Sequence, residues 1–368
     1  MFLYLHTYCR LYLACTMLQS KLEIGGGTMN IVLIGLGMVA TTHVTAIQSS
    51  NQGLTLHGVL GRDPVHTANF AAIKGTHAYA SVADIARDGS VDFVILATPP
   101  DARHDIVETL AAAGKPILME KPIERDLTAA TKIVEMCEKE SVPLGIVFQH
   151  RAREASIALK SAIGLGALGE ICTVELRVPW WRDQSYYDVS GRGSYARDGG
   201  GVMISQAIHT LDLAMWLLGP ISTIQALMRR TPLHELEAED WAGALFETEC
   251  GAVGTLMATT AAYSGEAETI TLQGTKAAAH LGSGVLTIKY FNGETELFGV
   301  ASTTGSGADP MAFSHVWHQS VIEDFAWSLS NNQPPMATAR SGLRTHAVID
   351  AMQHASRTGQ RVEVSPCN

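Results

Sequence analysis

The chain has 368 residues, 46% of them hydrophobic and only 17% charged, which excludes a disordered protein and points to two globular domains. Its 26 basic and 36 acidic side chains give a net charge of −10 with no basic run, which excludes a nucleic-acid-binding face and favours small ligands. Six scattered cysteines without a C-x-x-C pair exclude a disulfide scaffold or structural zinc and fit a reducing, cytoplasmic setting.

Residues 1–28 read differently from the rest. Met1 to Leu18 are apolar and aromatic, but His6 and Arg10 interrupt them short of a membrane helix. They lack the basic start of an export signal, which is the minor alternative. Gly25, Gly26 and Gly27 then form a joint before a strand beginning at Met29. The expectation is an extension outside the core, arising from a start codon placed too early, and no membrane segment.

From Met29 to about residue 150, short apolar runs alternate with helical stretches. Asn30–Ile34, Leu54–Leu60, Phe93–Ala97, Pro116–Met119 and Leu144–Phe148 have strand length. Leu127, Ala130, Ile133, Val134 and Cys137 form a stripe at helical period, with Asp126 as its cap and Pro143 beyond its end. Strands apolar on both faces, with helices between them, predict a doubly wound parallel α/β sheet over 29–150.

The pattern changes over 151–368. A helix (Glu154–Ile163) leads to a strand (Glu170–Val178), a loop rich in Gly, Arg and Tyr, and a helix from Met203 to Leu218. Strand-like runs follow at Thr223–Met228, Trp241–Thr248, Val253–Ala262, Ile270–Gln273, His280–Leu281 and Val285–Tyr290. Consecutive strands predict a mostly antiparallel sheet in an α+β domain. A loop over 299–314 and two helices close the chain.

The first strand runs into Gly35-Leu36-Gly37-Met38-Val39-Ala40 and then a helix. Gly35 permits the tight turn, Gly37 admits a pyrophosphate, and Ala40 packs helix on strand. The helix start, with Met38, Val39 and Ala40, turns backbone N–H groups and a positive dipole end toward phosphates. An acid at the end of the second strand would hold the ribose of NAD. Gly61 and Arg62 stand there instead, with Asp63 slightly late. Arg62 could pair with a 2′-phosphate, so the expected cofactor is NADP or NAD with a lean to NADP. The bland alternative is a surface turn opening the next helix.

Three more segments carry chemistry. Thr98-Pro99-Pro100 follows a buried strand and precedes His104; another strand ends in Glu120-Lys121-Pro122; Gly199-Gly200-Gly201 precedes Gln206, His209 and Asp212 at three-residue steps. Together with the glycine turn, these motifs make the chain from Met29 onward resemble the Gfo/Idh/MocA oxidoreductases. The resemblance implies a Rossmann domain plus a second domain whose large open sheet mediates homo-oligomers. It also implies hydride transfer between a nicotinamide and a sugar, cyclitol or related hydroxyl compound. Thr98, Pro99, His104 and Glu120 then belong to the cofactor side, and Lys121 and His209 face substrate.

Oxidising an alcohol needs a base beside the departing hydride, and both residues suit it. Lys121 could also clamp the developing alkoxide, aimed by Pro122 through a special geometry such as a cis bond. Inositol dehydrogenase-like members carry an Asp four residues before the His, but Ser205 stands here, so the base stays open between Lys121 and His209. The alternative for His209 is a core histidine satisfied by Asp212. Arg182 could bind hydroxyl or carboxylate oxygens, and Tyr187, with Trp180, Trp181 and Tyr186, could cover a sugar, or else all pack beneath the loop. Gln149, Arg151 and Gln206 are further cleft candidates, and Arg192 and Arg197 belong to a lid or its solvated edge. His315 and His318 lack a third ligand, so no metal site is expected. An NAD-using glycosidase, a dihydrodiol dehydrogenase and a non-catalytic sensor are the competing functions.

Overall fold

The computed structural model describes residues 27–367 apart from 302–304, 308, 310 and 312, so the extension lies almost wholly outside the described residues. Six strands, β1 (Met29–Ile34), β2 (Leu54–Leu60), β3 (His77–Ala78), β4 (Phe93–Leu96), β5 (Ile117–Glu120) and β6 (Leu144–Val147), form one sheet in the order β3-β2-β1-β4-β5-β6. Every neighbouring pair is parallel. Helices α1 (Ala40–Ser49), α2 (Pro64–Lys74), α3 (Val82–Arg87), α4 (His104–Ala112) and α5 (Leu127–Lys139) make the crossovers.

Alternation along the strands explains why both faces are covered. Val32, Ile34, Val94 and Leu96 enter one core with α4 and α5, while Ile31, Leu33, Phe93 and Ile95 enter the other with α1. The order reverses between β1 and β4, and such a switch point opens a crevice at the carboxyl ends of the strands. The glycine turn, Thr98 and Lys121 all follow those ends.

The second sheet has nine strands: β7 (Ile171–Pro179), β8 (Ile221–Arg229), β9 (Trp241–Thr248), β10 (Val253–Thr259), β11 (Thr269–Gly274), β12 (Ala277–Gly282), β13 (Val285–Tyr290), β14 (Thr295–Gly299) and β15 (Val362–Glu363). All pairings are antiparallel except β7 with β10. The expected run Val253–Ala262 stops at Thr259, and the short His280–Leu281 run is a six-residue strand. The edge strands β14 and β15 and the two-residue β3 went unread, being too short or too polar to show a period.

Helices α6 (Glu154–Gly164), α7 (Gln184–Tyr187), α8 (Ile208–Leu218), α9 (Val316–Asn331) and α10 (Ala339–Thr358) complete the fold. The helix expected over 203–218 is two pieces, a widened π turn at Met203–Ala207 followed by α8. α8 is buried nearly all round because it lies between β7 and α10. α9 returns to the first sheet, where Phe325 meets Phe93 edge to face at 5.3 Å. Among the described residues, no helix is long and apolar enough to cross a membrane.

Candidate active site

The glycine turn is built by close approach. Gly35 has φ +102°, and a Cβ there would stand 2.6 Å from the Ala97 carbonyl carbon, so the chain leaving β4 passes directly behind it. A Cβ on Gly37 would meet nothing within 4 Å, and Gly37 and Met38 are exposed. Val39 precedes α1 with no side-chain cap, and Ala40 is buried against the strand. An open concavity over uncapped helix N–H groups fits a dinucleotide pyrophosphate.

At the end of β2, Asp63 caps α2, its Oδ1 accepting from the His66 N–H at 2.7 Å. That carboxylate is therefore turned into the helix. Arg62 is exposed beside it, and the Gly61 N–H donates to Thr67 Oγ1 at 3.0 Å.

The T-P-P segment works through Arg103, which the sequence reading passed over. Arg103 is 1% exposed and donates to the Thr98 carbonyl at 2.7 and 3.1 Å. It donates also to the carbonyls of Glu120, Pro122 and Ile123. One guanidinium thus ties the end of β4 to the turn that carries Lys121. Thr98 Oγ1 is buried without a partner among the described residues, and Pro99 precedes the short 3₁₀ turn at Pro100–Ala102. His104, the residue that the motif singled out, lies exposed at the surface beside Asp105.

Glu120 closes β5 and points at α1, where His43 Nε2 lies 2.8 Å from its Oε1. His318 Nε2 stands 3.7 Å from the same oxygen, and all three residues are buried. His318 therefore groups with His43 and Glu120 instead of His315. Burial alone would raise the Glu120 carboxyl, but the His43 bond and the surrounding His43, His318 and Lys121 charges hold it down at about 2. Neither His43 nor a partner for His318 on another element was readable in advance, because no spacing links 43, 120 and 318.

The Lys121–Pro122 peptide is cis, and Lys121 Nζ donates to the Ser205 carbonyl at 2.7 Å. Burial pushes the ammonium down to about 8, with Glu120 opposing and Arg103 assisting. Ser205 lies in the π turn, a distortion that recurs at functional sites. Glu239 holds that turn by accepting from the N–H groups of Gly201 and Met203, each at 3.1 Å.

His209 stands on the first turn of α8, 5% exposed. Its ring stacks on His150 at 4.8 Å and meets Phe148 edge to face at 6.2 Å. Nδ1 is buried without a partner among the described residues. Burial, then the Lys121 and Arg153 charges, push it well below the ordinary histidine value, so it is neutral near pH 7. Asp212 does not satisfy it. That carboxylate is held by Arg151, Nε at 2.7 Å and Nη2 at 2.5 Å, and Arg151 also donates to the Met336 carbonyl.

Gln206 Nε2 donates to Tyr186 Oη at 3.0 Å while its Oε1, like Oε1 of Gln149, is buried and unpartnered among the described residues. These two amides sit beside the Lys121 and His209 segments with acceptors unspent. Arg182 and Tyr187 are differently employed. Arg182 is 2% exposed and donates to the carbonyls of Trp181, Gly305 and Gly307, so it clamps a loop. Tyr187 Oη bonds Thr260 Oγ1 at 2.6 Å inside the loop's own packing. Arg192 lies over the Tyr186 ring at 4.4 Å and reaches Met38 Sδ at 3.6 Å, joining the 188–200 loop to the glycine turn.

Comparison with known proteins agrees with this geometry. Residues 29–148 match the family model described as an oxidoreductase family with an NAD-binding Rossmann fold, and residues 157–280 match the GFO/IDH/MocA C-terminal domain. A D-apiose dehydrogenase of Rhizobium rhizogenes is 27% identical over 350 residues, covering 90% of this chain and 96% of the relative. An inositol 2-dehydrogenase of Rhizobium meliloti is 29% identical over 197 residues, covering 53% and 57%. Among solved structures, the WlbA dehydrogenase of Bordetella pertussis, in complex with NADH and UDP-GlcNAcA, superposes with TM-score 0.78 at 26% identity over 92% of this chain and 99% of that one. A levoglucosan dehydrogenase shares the fold at TM-score 0.82 and 20% identity, covering 92% and 100%. With both halves matched in order and the dinucleotide turn, the cis Lys-Pro segment and the buried helix-borne histidine in place, the chain is a member of the Gfo/Idh/MocA family of NAD-binding oxidoreductases.

Proposed function

We propose that the protein oxidises a hydroxyl carbon of a small polyhydroxylated compound, a sugar derivative or cyclitol, with Lys121 as the base. The observation that carries this reading is the Lys121 amine, desolvated to about 8 at the crevice mouth and set against a neutral His209. A group that loses its proton near working pH accepts one efficiently. A nicotinamide dinucleotide held over Gly37 and the start of α1 supplies the hydride acceptor. Neutral His209 accepts or donates a hydrogen bond to the reacting oxygen, and the free acceptors of Gln149 and Gln206 orient neighbouring hydroxyls. The D-apiose and inositol dehydrogenase relatives support a polyol substrate.

The cofactor reading leans to NADP because Asp63 is spent on capping α2 while Arg62 stands exposed. The change of pattern at about residue 150 favours a domain boundary there, with residues 1–28 as an extension, and the scattered cysteines favour a cytoplasmic setting. Self-association through the second sheet is supported by Leu227, Leu245 and Val253, large apolar side chains exposed on three adjacent strands. Purified protein tested for cofactor reduction across sugars, cyclitols, sugar acids and diols decides the function. Reduced cofactor should accumulate with at least one of these, and cofactor binding without reduction would favour a sensor.

A further inference from the structure

The polar wall behind His209 ends in a guanidinium with one edge unused. Arg153, at the turn into α6, is 6% exposed, and its Nη1 donates to Glu268 Oε1 at 2.6 Å. Glu268 Oε2 accepts from Trp180 Nε1 at 3.3 Å, so the carboxylate is engaged through both oxygens. The face of the guanidinium rests 4.3 Å from the centre of the Trp317 ring. Nε and Nη2 are both buried and have no acceptor among the described residues.

Those two nitrogens form one edge of the planar group. Their parallel N–H bonds match the two oxygens of a carboxylate, a fit that no ammonium reproduces. Arg153 stands near the candidate site, where its charge bears on both His209 and His150. His150, stacked on His209, has its Nε2 3.8 Å from the same Glu268 oxygen that Arg153 holds. Of the neighbouring acids, Asp212 is paired with Arg151, and Glu120 is bonded to His43. Buried donors left without acceptors are costly, and a site that keeps them is shaped for a partner that arrives with binding.

We propose that the Nε–Nη2 edge of Arg153 is a carboxylate subsite, and that the physiological substrate is a sugar-type hydroxy acid. This inference rests on the dehydrogenase reading above. In the reaction, the carbinol hydride passes to the nicotinamide and the hydroxyl proton to Lys121, leaving a carbonyl, while the substrate carboxylate is unchanged.

The test compares hexuronates and aldonates with their neutral counterparts, hexoses and alditols, in wild type and in Arg153→Lys. The lysine keeps a cation for Glu268 but removes the fork, and Arg153→Gln combined with Glu268→Gln, which leaves no unpaired buried charge, serves if the lysine variant melts early. The acids should exceed their neutral counterparts in kcat/KM by about 100-fold, and Arg153→Lys should cut that preference at least about tenfold, mainly through KM. Neutral sugars oxidised as well as or better than the acids would overturn the subsite, as would a preference unmoved by Arg153→Lys. A rise confined to the cofactor KM would assign the edge to the cofactor and overturn it too. If no compound in the panel reduces cofactor, it is the dehydrogenase reading that fails.

Discussion

Lys121 Nζ donates to the main-chain carbonyl of Ser205 across 2.7 Å, joining the end of β5 to the π turn that leads into α8. The bond fixes the amine of one segment beside the helix that carries His209, though 84 residues separate its partners in sequence. It also spends one donor of the ammonium on a neutral carbonyl and not on a carboxylate, which leaves burial as the main influence on the amine.

His209 should act on the reacting oxygen and not on the cofactor. His209→Ala is expected to lower kcat about a hundredfold while cofactor affinity, measured by fluorescence titration, stays within about twofold. His209→Gln, which can still hydrogen-bond but not shuttle protons, separates the roles. Recovery of about tenfold would identify His209 as an orienting group.

Arg62 should decide cofactor choice. Arg62→Ala is expected to reduce kcat/KM with NADP about tenfold or more and to leave NAD little changed. Replacing Gly61 with Asp is a poor route to NAD preference, because its Cβ would meet Thr67 Oγ1 at 2.9 Å and Leu36 Cδ1 at 3.1 Å. A wild-type enzyme with the higher kcat/KM for NAD would show that another group reads the ribose.

Arg103 should behave as a positioning residue. Arg103→Met removes the bonds to Thr98, Glu120, Pro122 and Ile123, and kcat is expected to fall about tenfold or more. A purely structural loss would stop there. Since the Arg103 charge helps depress the Lys121 amine, the pH limb of the reaction should also move upward in the variant. An unmoved limb would confine Arg103 to folding.

His346 supplies a stability test. Its Nε2 accepts the Ile123 N–H at 3.1 Å, and burial pushes the ring down to about 4 from 6.5. The unfolded chain therefore binds the proton more readily, so this stability is present above about pH 6.5 and is lost as pH falls through about 4. The depression corresponds to about 3 kcal/mol. His346→Gln should flatten the fall in melting temperature between those pH values, and an identical slope would contradict the assignment.

The first sheet was legible because its central strands β1, β4, β5 and β6 are runs of mostly apolar residues and turn or helix signals lie between them, as Asp126 before α5 shows. The positions of Lys121 and His209 were legible through local motifs. What the motifs could not give was the use of each side chain. Arg103 sits one residue before the expected His104, yet only the fold reveals that its guanidinium reaches the Lys121 turn. Arg182 was open between a ligand for hydroxyl or carboxylate oxygens and packing beneath the loop, and its donors close on the carbonyls of Gly305 and Gly307, more than 120 residues away. The division of the helix at residue 207 was equally hidden, since the apolar period runs through the π turn unbroken.

The central claim, that Lys121 is the base, is tested most directly by the pH dependence of single-turnover cofactor reduction in wild type and Lys121→Met. With a saturating substrate found in the panel, wild type should show a rate that rises with pH and levels off through an apparent pKa near 8, because only the neutral amine accepts the proton. Lys121→Met should be slower by about a hundredfold or more and should lose that limb while still binding cofactor. A variant that retains the limb at a rate near wild type would place the base elsewhere.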